Sequence, residues 1–302
     1  MKICFIYSNR AEYSELKPFI EYFQMNTITK IFNISQRIKN LDSDLNLHKV
    51  YQKCYNIFSK EKFDFVCVLG DRRELPFIML AAFYLDIKIV HIAAGDFSES
   101  NTIYDQYIRP MISIPSNFQI CFSKESKKNV EKLFSSIPYL KSNSHFLGNP
   151  VFKDVNLVNM RREMKEKYDL VLLHPQSLSK KGTEADIKHL KKLLKKKKTI
   201  FILGNNDKNA NIITKFYGGL KRQNENYVFI KSLTKEKYFS LVKFCDNYFT
   251  NSSSIDEIKF LNNNCLKVIG KRNKNRNKDY FNKNAPELLL KLLKKSLQKK
   301  TS

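Results

Sequence analysis

DFVCVLG at residues 64–70, followed at once by Asp71-Arg72-Arg73-Glu74, is the stretch that decides the fold. An unbroken apolar run that stops at a glycine and a cluster of charges reads as a strand buried on both faces, since a strand with one wet face would alternate. Working outward, the same kind of run recurs as KICFIY at 2–7, KIFNI at 30–34, KIVHIAAG at 88–95 and FQICFS at 118–123. Between them lie segments such as SELKPFIEYF, HKVYQKCYNIFSKEK and ELPFIMLAAFYLD, whose apolar residues recur three and four apart, as one inward helix face requires. Strands alternating with helical crossovers predict a parallel sheet.

After Gly148-Asn149-Pro150 a polar stretch without strand pattern runs to Tyr168, and then the alternation starts afresh. The second series is DLVLLHP at 169–175, TIFILGN at 199–205, YVFIKS at 227–232, DNYFTNS at 246–252 and CLKVIG at 265–270, and a helix from Ala285 to about Lys300 closes the chain. A chain of 302 residues suits two domains of ordinary size, and the boundary near 150–168 divides it into 1–155 and 156–302. The predicted class is α/β, two Rossmann-like domains facing each other across a cleft.

Lysine and arginine number 54 against 29 aspartates and glutamates, a net charge of +25 that raises the question of an anionic partner. The lysines, however, are spread over nearly every polar face. The two local runs, Lys195 to Lys198 and Lys294, Lys295, Lys299 and Lys300, sit at or near the ends of helical stretches, where cations offset the helix dipole. A compositional bias accounts for that distribution, so no specific nucleic-acid partner is expected. The six cysteines, Cys4, Cys54, Cys67, Cys121, Cys245 and Cys265, show no Cys-x-x-Cys spacing and lie mostly in apolar runs, as buried thiols of a reducing compartment do. No run reaches the length of a membrane span, and the N-terminal one is too short for the core of a signal peptide. A soluble cytoplasmic protein without membrane insertion is the expectation.

In parallel α/β sheets ligands bind beyond the carboxyl ends of the strands, so the residues just after each strand carry the functional question. In the first half these are Ser8-Asn9-Arg10-Ala11-Glu12-Tyr13, Gly70-Asp71-Arg72-Arg73-Glu74 and Gly95-Asp96. In the second they are His174-Pro175-Gln176-Ser177, Gly204-Asn205-Asn206-Asp207 and Thr250-Asn251-Ser252-Ser253-Ser254. Ordinary caps and turns also demand Ser, Asn, Asp and Gly, so Gly204 to Asp207 fits a plain turn as well as a binding site. Three hydroxyls and free N–H groups at a helix start both cap the helix and form an anion site. His91 lies inside a strand and reads as a hydrogen-bonded core residue, whereas His174 stands at a strand exit. No histidines or carboxylates have metal-ligand spacing, so neither a metal nor another cofactor is expected.

Taken in order, Arg10-Ala11-Glu12-Tyr13, Gly70-Asp71-Arg72, His91-Ile92 with Gly95-Asp96, Asp105 with Ile108-Arg109, Gly148-Asn149-Pro150, His174-Pro175 and Asn251-Ser252-Ser253 resemble UDP-N-acetylglucosamine 2-epimerases. The branch they resemble is the hydrolysing one, which supplies N-acetylmannosamine for sialic-acid-like sugars. The resemblance implies a fold of the glycosyltransferase-B type and a UDP-sugar substrate in surface polysaccharide biosynthesis. It allows a homodimer, for which no motif in the chain speaks. It implies that UDP is eliminated to leave a glycal-like intermediate, to which water adds with inversion at carbon 2. By position Asp71 and Asp105 become the general acid and base, with Asp96 and His174 as further catalytic candidates. Arg10, Arg72, Arg109, Asn251, Ser252, Ser253, Ser254 and Glu257 become the substrate-binding set, Arg109 also supporting the acidic loop.

Two departures stand out. Family members carry a carboxylate two residues after the strand histidine, and here that position is Ala93, leaving Asp96 or Glu99 to take its place. After the serines the family has Gly and then Glu, whereas this chain has Ser254-Ile255-Asp256-Glu257. Two classes of function therefore stay open: the epimerase, and a catalytically altered sugar-nucleotide binder or glycosyltransferase on the same fold.

Overall fold

The computed structural model describes residues 1–38, 46–96, 104–153, 155–157, 166–204, 207–222, 224–231, 233–252, 255–270 and 280–298. The chain forms two compact units, the first of residues 1–97, 105–153 and 277–302 and the second of 98–104 and 154–276.

The first unit holds six parallel strands, β1 (Lys2–Tyr7), β2 (Ile28–Asn33), β3 (Phe65–Leu69), β4 (Lys88–Ile92), β5 (Phe118–Cys121) and β6 (Ser144–Phe146), in the order β2-β1-β3-β4-β5-β6. Its crossover helices are α1 (Arg10–Asn26), α2 (Leu47–Glu61), α3 (Leu75–Phe83), α4 (Asp105–Ser113) and α5 (Lys124–Ser135). Side chains leave a strand alternately on its two faces. Cys4 and Ile6 therefore join Val66 and Val68 in one apolar layer, while Ile3 and Phe5 join Phe65, Cys67 and Leu69 in the other. This two-sided burial is what the unbroken run at 64–70 predicts.

The second unit repeats the plan with β7 (Asp169–Leu172), α6 (Lys180–Leu193), β8 (Thr199–Ile202), α7 (Ala210–Lys221), β9 (Tyr227–Ile230), α8 (Lys235–Phe244), β10 (Asn247–Thr250), α9 (Ile255–Asn262) and β11 (Leu266–Val268). Its five parallel strands run β11-β10-β7-β8-β9. In each sheet the strand order reverses once, between β1 and β3 in the first and between β7 and β10 in the second. Such a reversal leaves a crevice at the strands' carboxyl ends, because the flanking crossovers depart to opposite faces.

The closing helix α10 (Ala285–Gln298) corrects the linear division at 155/156. It belongs to the first unit, where Ala285, Leu289, Leu290 and Leu293 share a buried layer with Leu16, Phe19 and Phe23 of α1. The approach is fixed by backbone: Tyr280 N–H donates to Phe122 O at 2.9 Å, and Asn149 N–H to Tyr280 O at 2.7 Å. Helical periodicity announces a buried face but does not name the sheet that buries it.

All six cysteines are free and buried. Among the described residues no helix is long and apolar enough to cross a membrane, and no group of His, Cys, Asp and Glu is arranged to hold a metal ion.

Candidate active site

At the reversal point of the first unit, the turn after β1 is built by a capping box. Asn9 Oδ1 accepts from the Glu12 N–H at 2.9 Å, and Glu12 Oε2 accepts back from the Asn9 N–H at 3.2 Å. The same Glu12 oxygen takes the Ser8 N–H at 2.6 Å and the Ser8 hydroxyl at 2.7 Å, while Oε1 is buried with no hydrogen-bond partner among the described residues. Burial first, and then the nearby carboxylate of Glu74, push Glu12 up to about 7, against the opposing donors of Ser8 and the charge of Arg72. Glu74 is itself buried and accepts from Arg72 Nε at 3.2 Å. Arg10, the first residue of α1, is exposed.

The turn after β3 is tied to α4 by His91 and to the turn after β4 by Arg109. Gly70, at φ +76°, presents its carbonyl to His91 Nε2 at 2.7 Å, and His91 Nδ1 lies 2.9 Å from the Ser113 hydroxyl. A carbonyl only accepts, so Nε2 carries the proton and Nδ1 accepts from Ser113. Burial drives His91 down to about 4, which keeps the ring neutral, the state this pattern needs. His91 is thus a core residue that ties the turn after β3 to α4.

Arg109, on α4, is buried and bridges both acidic turns. One terminal nitrogen pairs with Asp71 Oδ2, and the other donates to the Asp96 backbone carbonyl and lies 3.3 Å from Asp96 Oδ2. Two carboxylates around one buried guanidinium compensate a cation that would otherwise be costly to desolvate. Asp71 nevertheless keeps about a fifth of its side chain open. Asp105 begins α4, one turn before Arg109, and is half-buried. Ala93 holds a left-handed backbone at φ +60°, and Gly95, at φ +76°, accepts from Asn129 Nδ2 at 3.0 Å.

In the second unit the reversal point brings His174, after β7, beside Asn251, after β10. The His174 N–H donates to Asn251 Oδ1 at 2.7 Å, and Asn251 Nδ2 donates to the His174 carbonyl at 2.8 Å. Asn251 is wholly buried and also donates to Asp186 Oδ2 at 3.0 Å, so its side chain builds the frame of the turn where ligand contact was expected. Ser252 is buried, its N–H donating to Thr250 Oγ1 at 2.9 Å, and Glu257 is buried in the first turn of α9. Ser253, Ser254 and Glu99 lie outside the described residues.

Of the expected residues, Asp71, Asp96 and Arg109 come together in the first unit, and His174, Asn251 and Ser252 share one reversal point in the second. Arg72 is engaged by Glu74. The site expectations omit Glu12, Glu74 and Asp186. The Asn9-x-x-Glu12 spacing does signal a capping box. Asp186 falls on the inward face of α6 with Thr183, Ile187 and Leu190, a position where a carboxylate has to find buried donors.

The sequence matches the model of the family described as UDP-N-acetylglucosamine 2-epimerase over residues 16–296. It is 30% identical over 268 residues to a Campylobacter jejuni protein named GDP/UDP-N,N'-diacetylbacillosamine 2-epimerase (hydrolyzing), covering 82% of this chain and 69% of that one. It is 28% identical over 240 residues to the polysialic acid biosynthesis protein P7 of Escherichia coli, covering 74% of this chain and 60% of the relative, under two thirds of its length. The crystal structure of Methanocaldococcus jannaschii UDP-GlcNAc 2-epimerase in complex with UDP-GlcNAc and UDP superposes with a TM-score of 0.77 at 17% identity, covering 97% of this chain and 99% of that one. That likeness shows the glycosyltransferase-B type of fold for the chain.

Proposed function

The chain belongs to the UDP-N-acetylglucosamine 2-epimerase family, and from that premise we propose that it is a hydrolysing 2-epimerase. Its substrate is a UDP-linked N-acetylhexosamine, UDP-N-acetylglucosamine in the first instance, and it acts in the cytoplasm in the biosynthesis of a surface sugar. The observation that carries this reading is the Arg109 bridge to Asp71 and Asp96. Removing a carbon-bound proton needs a carboxylate held in one position, and a buried guanidinium shared by two strand-end turns supplies such a hold.

In the first half-reaction a carboxylate takes the proton from carbon 2, the bond from carbon 1 to the diphosphate oxygen breaks, and a double bond forms between carbons 1 and 2. Water then adds: its oxygen bonds to carbon 1, and a proton reaches carbon 2 from the opposite face. The balance is substrate plus water giving UDP plus the 2-epimeric sugar. Asp71 and Asp105 are the acid and base of this scheme. Arg10, His174 and the serine turn stabilise the departing diphosphate, whose negative charge grows as the bond breaks.

A second reading is favoured by Ala93. It occupies the position where the resemblance puts a carboxylate, and a methyl group neither takes nor gives a proton. On that reading the chain binds the sugar nucleotide without turning it over. Incubation of the purified protein with UDP-N-acetylglucosamine is expected to release UDP and N-acetylmannosamine in equal amounts, and Asp71→Asn to slow the release by about 10²–10⁴-fold. Calorimetric binding of UDP without turnover would select the second reading, and neither binding nor turnover would reject both.

A further inference from the structure

Asp186 is no part of the expected site, yet it is buried at the reversal point of the second unit. Its Oδ2 accepts from Asn251 Nδ2 at 3.0 Å and from Gln176 Nε2 at 3.0 Å. Space for the carboxylate is made by Gly270: a Cβ there would overlap Asp186 Oδ1 and come within 2.9 Å of its Cγ. Asn251 in turn grips both the N–H and the carbonyl of His174, continuing the β7–β10 pairing one step past Leu172↔Thr250 with a side chain.

An amide can face a backbone in two ways, related by a flip that exchanges oxygen and nitrogen. Only one is compatible with Asp186, because a carboxylate accepts and does not donate. With Nδ2 turned to Asp186 and to the His174 carbonyl, Oδ1 is left to receive the His174 N–H. Were the amide flipped, its oxygen would meet the carboxylate and the His174 carbonyl, and its NH2 would meet an N–H. All of these polar groups would then be unsatisfied or opposed, which is costly in the interior.

We infer that Asp186 is a positioning residue, which fixes the side-chain amide of Asn251 and through it the backbone of His174. The part that concerns UDP rests on the function proposed above; the part that concerns the amide does not.

In the unmodified protein both Nδ2 protons of Asn251 should exchange with solvent at least a hundredfold more slowly than those of a free amide, as read by NMR. In Asp186→Ala the His174 N–H should exchange at least tenfold faster and UDP affinity should fall about tenfold. Asp186→Asn, which can still turn a carbonyl oxygen to Asn251, should keep both within threefold. In a His174→Ala background Asp186→Ala should cost less than twofold further in UDP affinity. Free-amide exchange at Asn251 in the unmodified protein overturns the inference whether or not any variant folds. So does an undiminished effect of Asp186→Ala on UDP affinity when the His174 side chain, which that backbone aims, is absent. If the unmodified protein binds no UDP while the exchange pattern holds, the functional reading falls and the positioning role stands.

Discussion

Glu12 enters the interior of the first unit with one carboxylate oxygen taking three donors and the other buried without a partner among the described residues. Its folded pKa of about 7 lies above the ordinary carboxyl value of 4.5, so the folded state binds the extra proton between those values. Stability must then fall as pH rises from 4.5 to 7 and stay reduced above. His91 does the reverse. Held down to about 4 from 6.5, it is protonated preferentially in the unfolded chain, so its contribution is complete above pH 6.5 and is lost on acidification toward 4. Over pH 4.5–6.5 the two slopes oppose each other. Glu12→Gln keeps an oxygen for Ser8 and Asn9 and cannot ionise. It should match the parent near pH 4.5 and exceed it by about 1–3 kcal/mol above pH 7, with a steeper fall on acidification because His91 is then unopposed. Urea unfolding at pH 5, 6 and 7.5 measures this, and a variant weaker than the parent at pH 7.5 would refute it. At this scale the chemistry was legible only in part. Asn9-x-x-Glu12 announces a cap, but the carboxylate of Glu74, whose charge adds to the shift of Glu12, arrives from the turn after β3.

The turns that follow β3 and β4 show what the strand pattern conveys and what it leaves out. The runs at 64–70 and 88–95 foretell both strands and the glycines that end them, since a strand must turn where the polar residues begin. Gly70 and Gly95 share φ +76°, yet their surroundings differ. A Cβ on Gly70 would meet nothing within 4 Å, whereas one on Gly95 would overlap the Ser126 carbonyl oxygen and come within 2.7 Å of Val130 Cγ2. Gly70→Ala should therefore cost about 1–2 kcal/mol, the left-handed strain alone, and Gly95→Ala about 3 kcal/mol or more. Gly95→Ala should also weaken turnover, because it lifts Asp96 away from Arg109. Equal losses in paired unfolding curves would mean that the turn after β4 yields freely. The edge strand β6 escaped the sequence reading for a related reason. It has three half-buried residues, Ser144 to Phe146, and a short strand with one neighbour lacks the apolar run that marks a central one.

At the scale of the whole chain, the doubled alternation of strands and helices was legible because each sheet needs its own set of buried runs. The return of the chain was not. From Ala285 onward the apolar residues recur as a helix face requires, which is equally consistent with either sheet, and proximity in sequence favours the wrong one. The choice is made by Tyr280, which pairs with Phe122 and Asn149 at the edge of the first sheet and leaves α10 lying on α1. Leu289 is fully buried there, in the same layer as Ile3, Phe5 and Phe19. Leu289→Ala should cost about 2–5 kcal/mol, as emptying such a site does. Hydrogen exchange should then accelerate in β1, α1 and β3, while residues 169–270 keep the protection of the parent. The second unit has its own two apolar layers and shares none of these side chains. Loss of protection confined to β7, β8 and β10 would show instead that α10 supports the second unit, and the division of the chain into 1–155 and 156–302 would regain its ground.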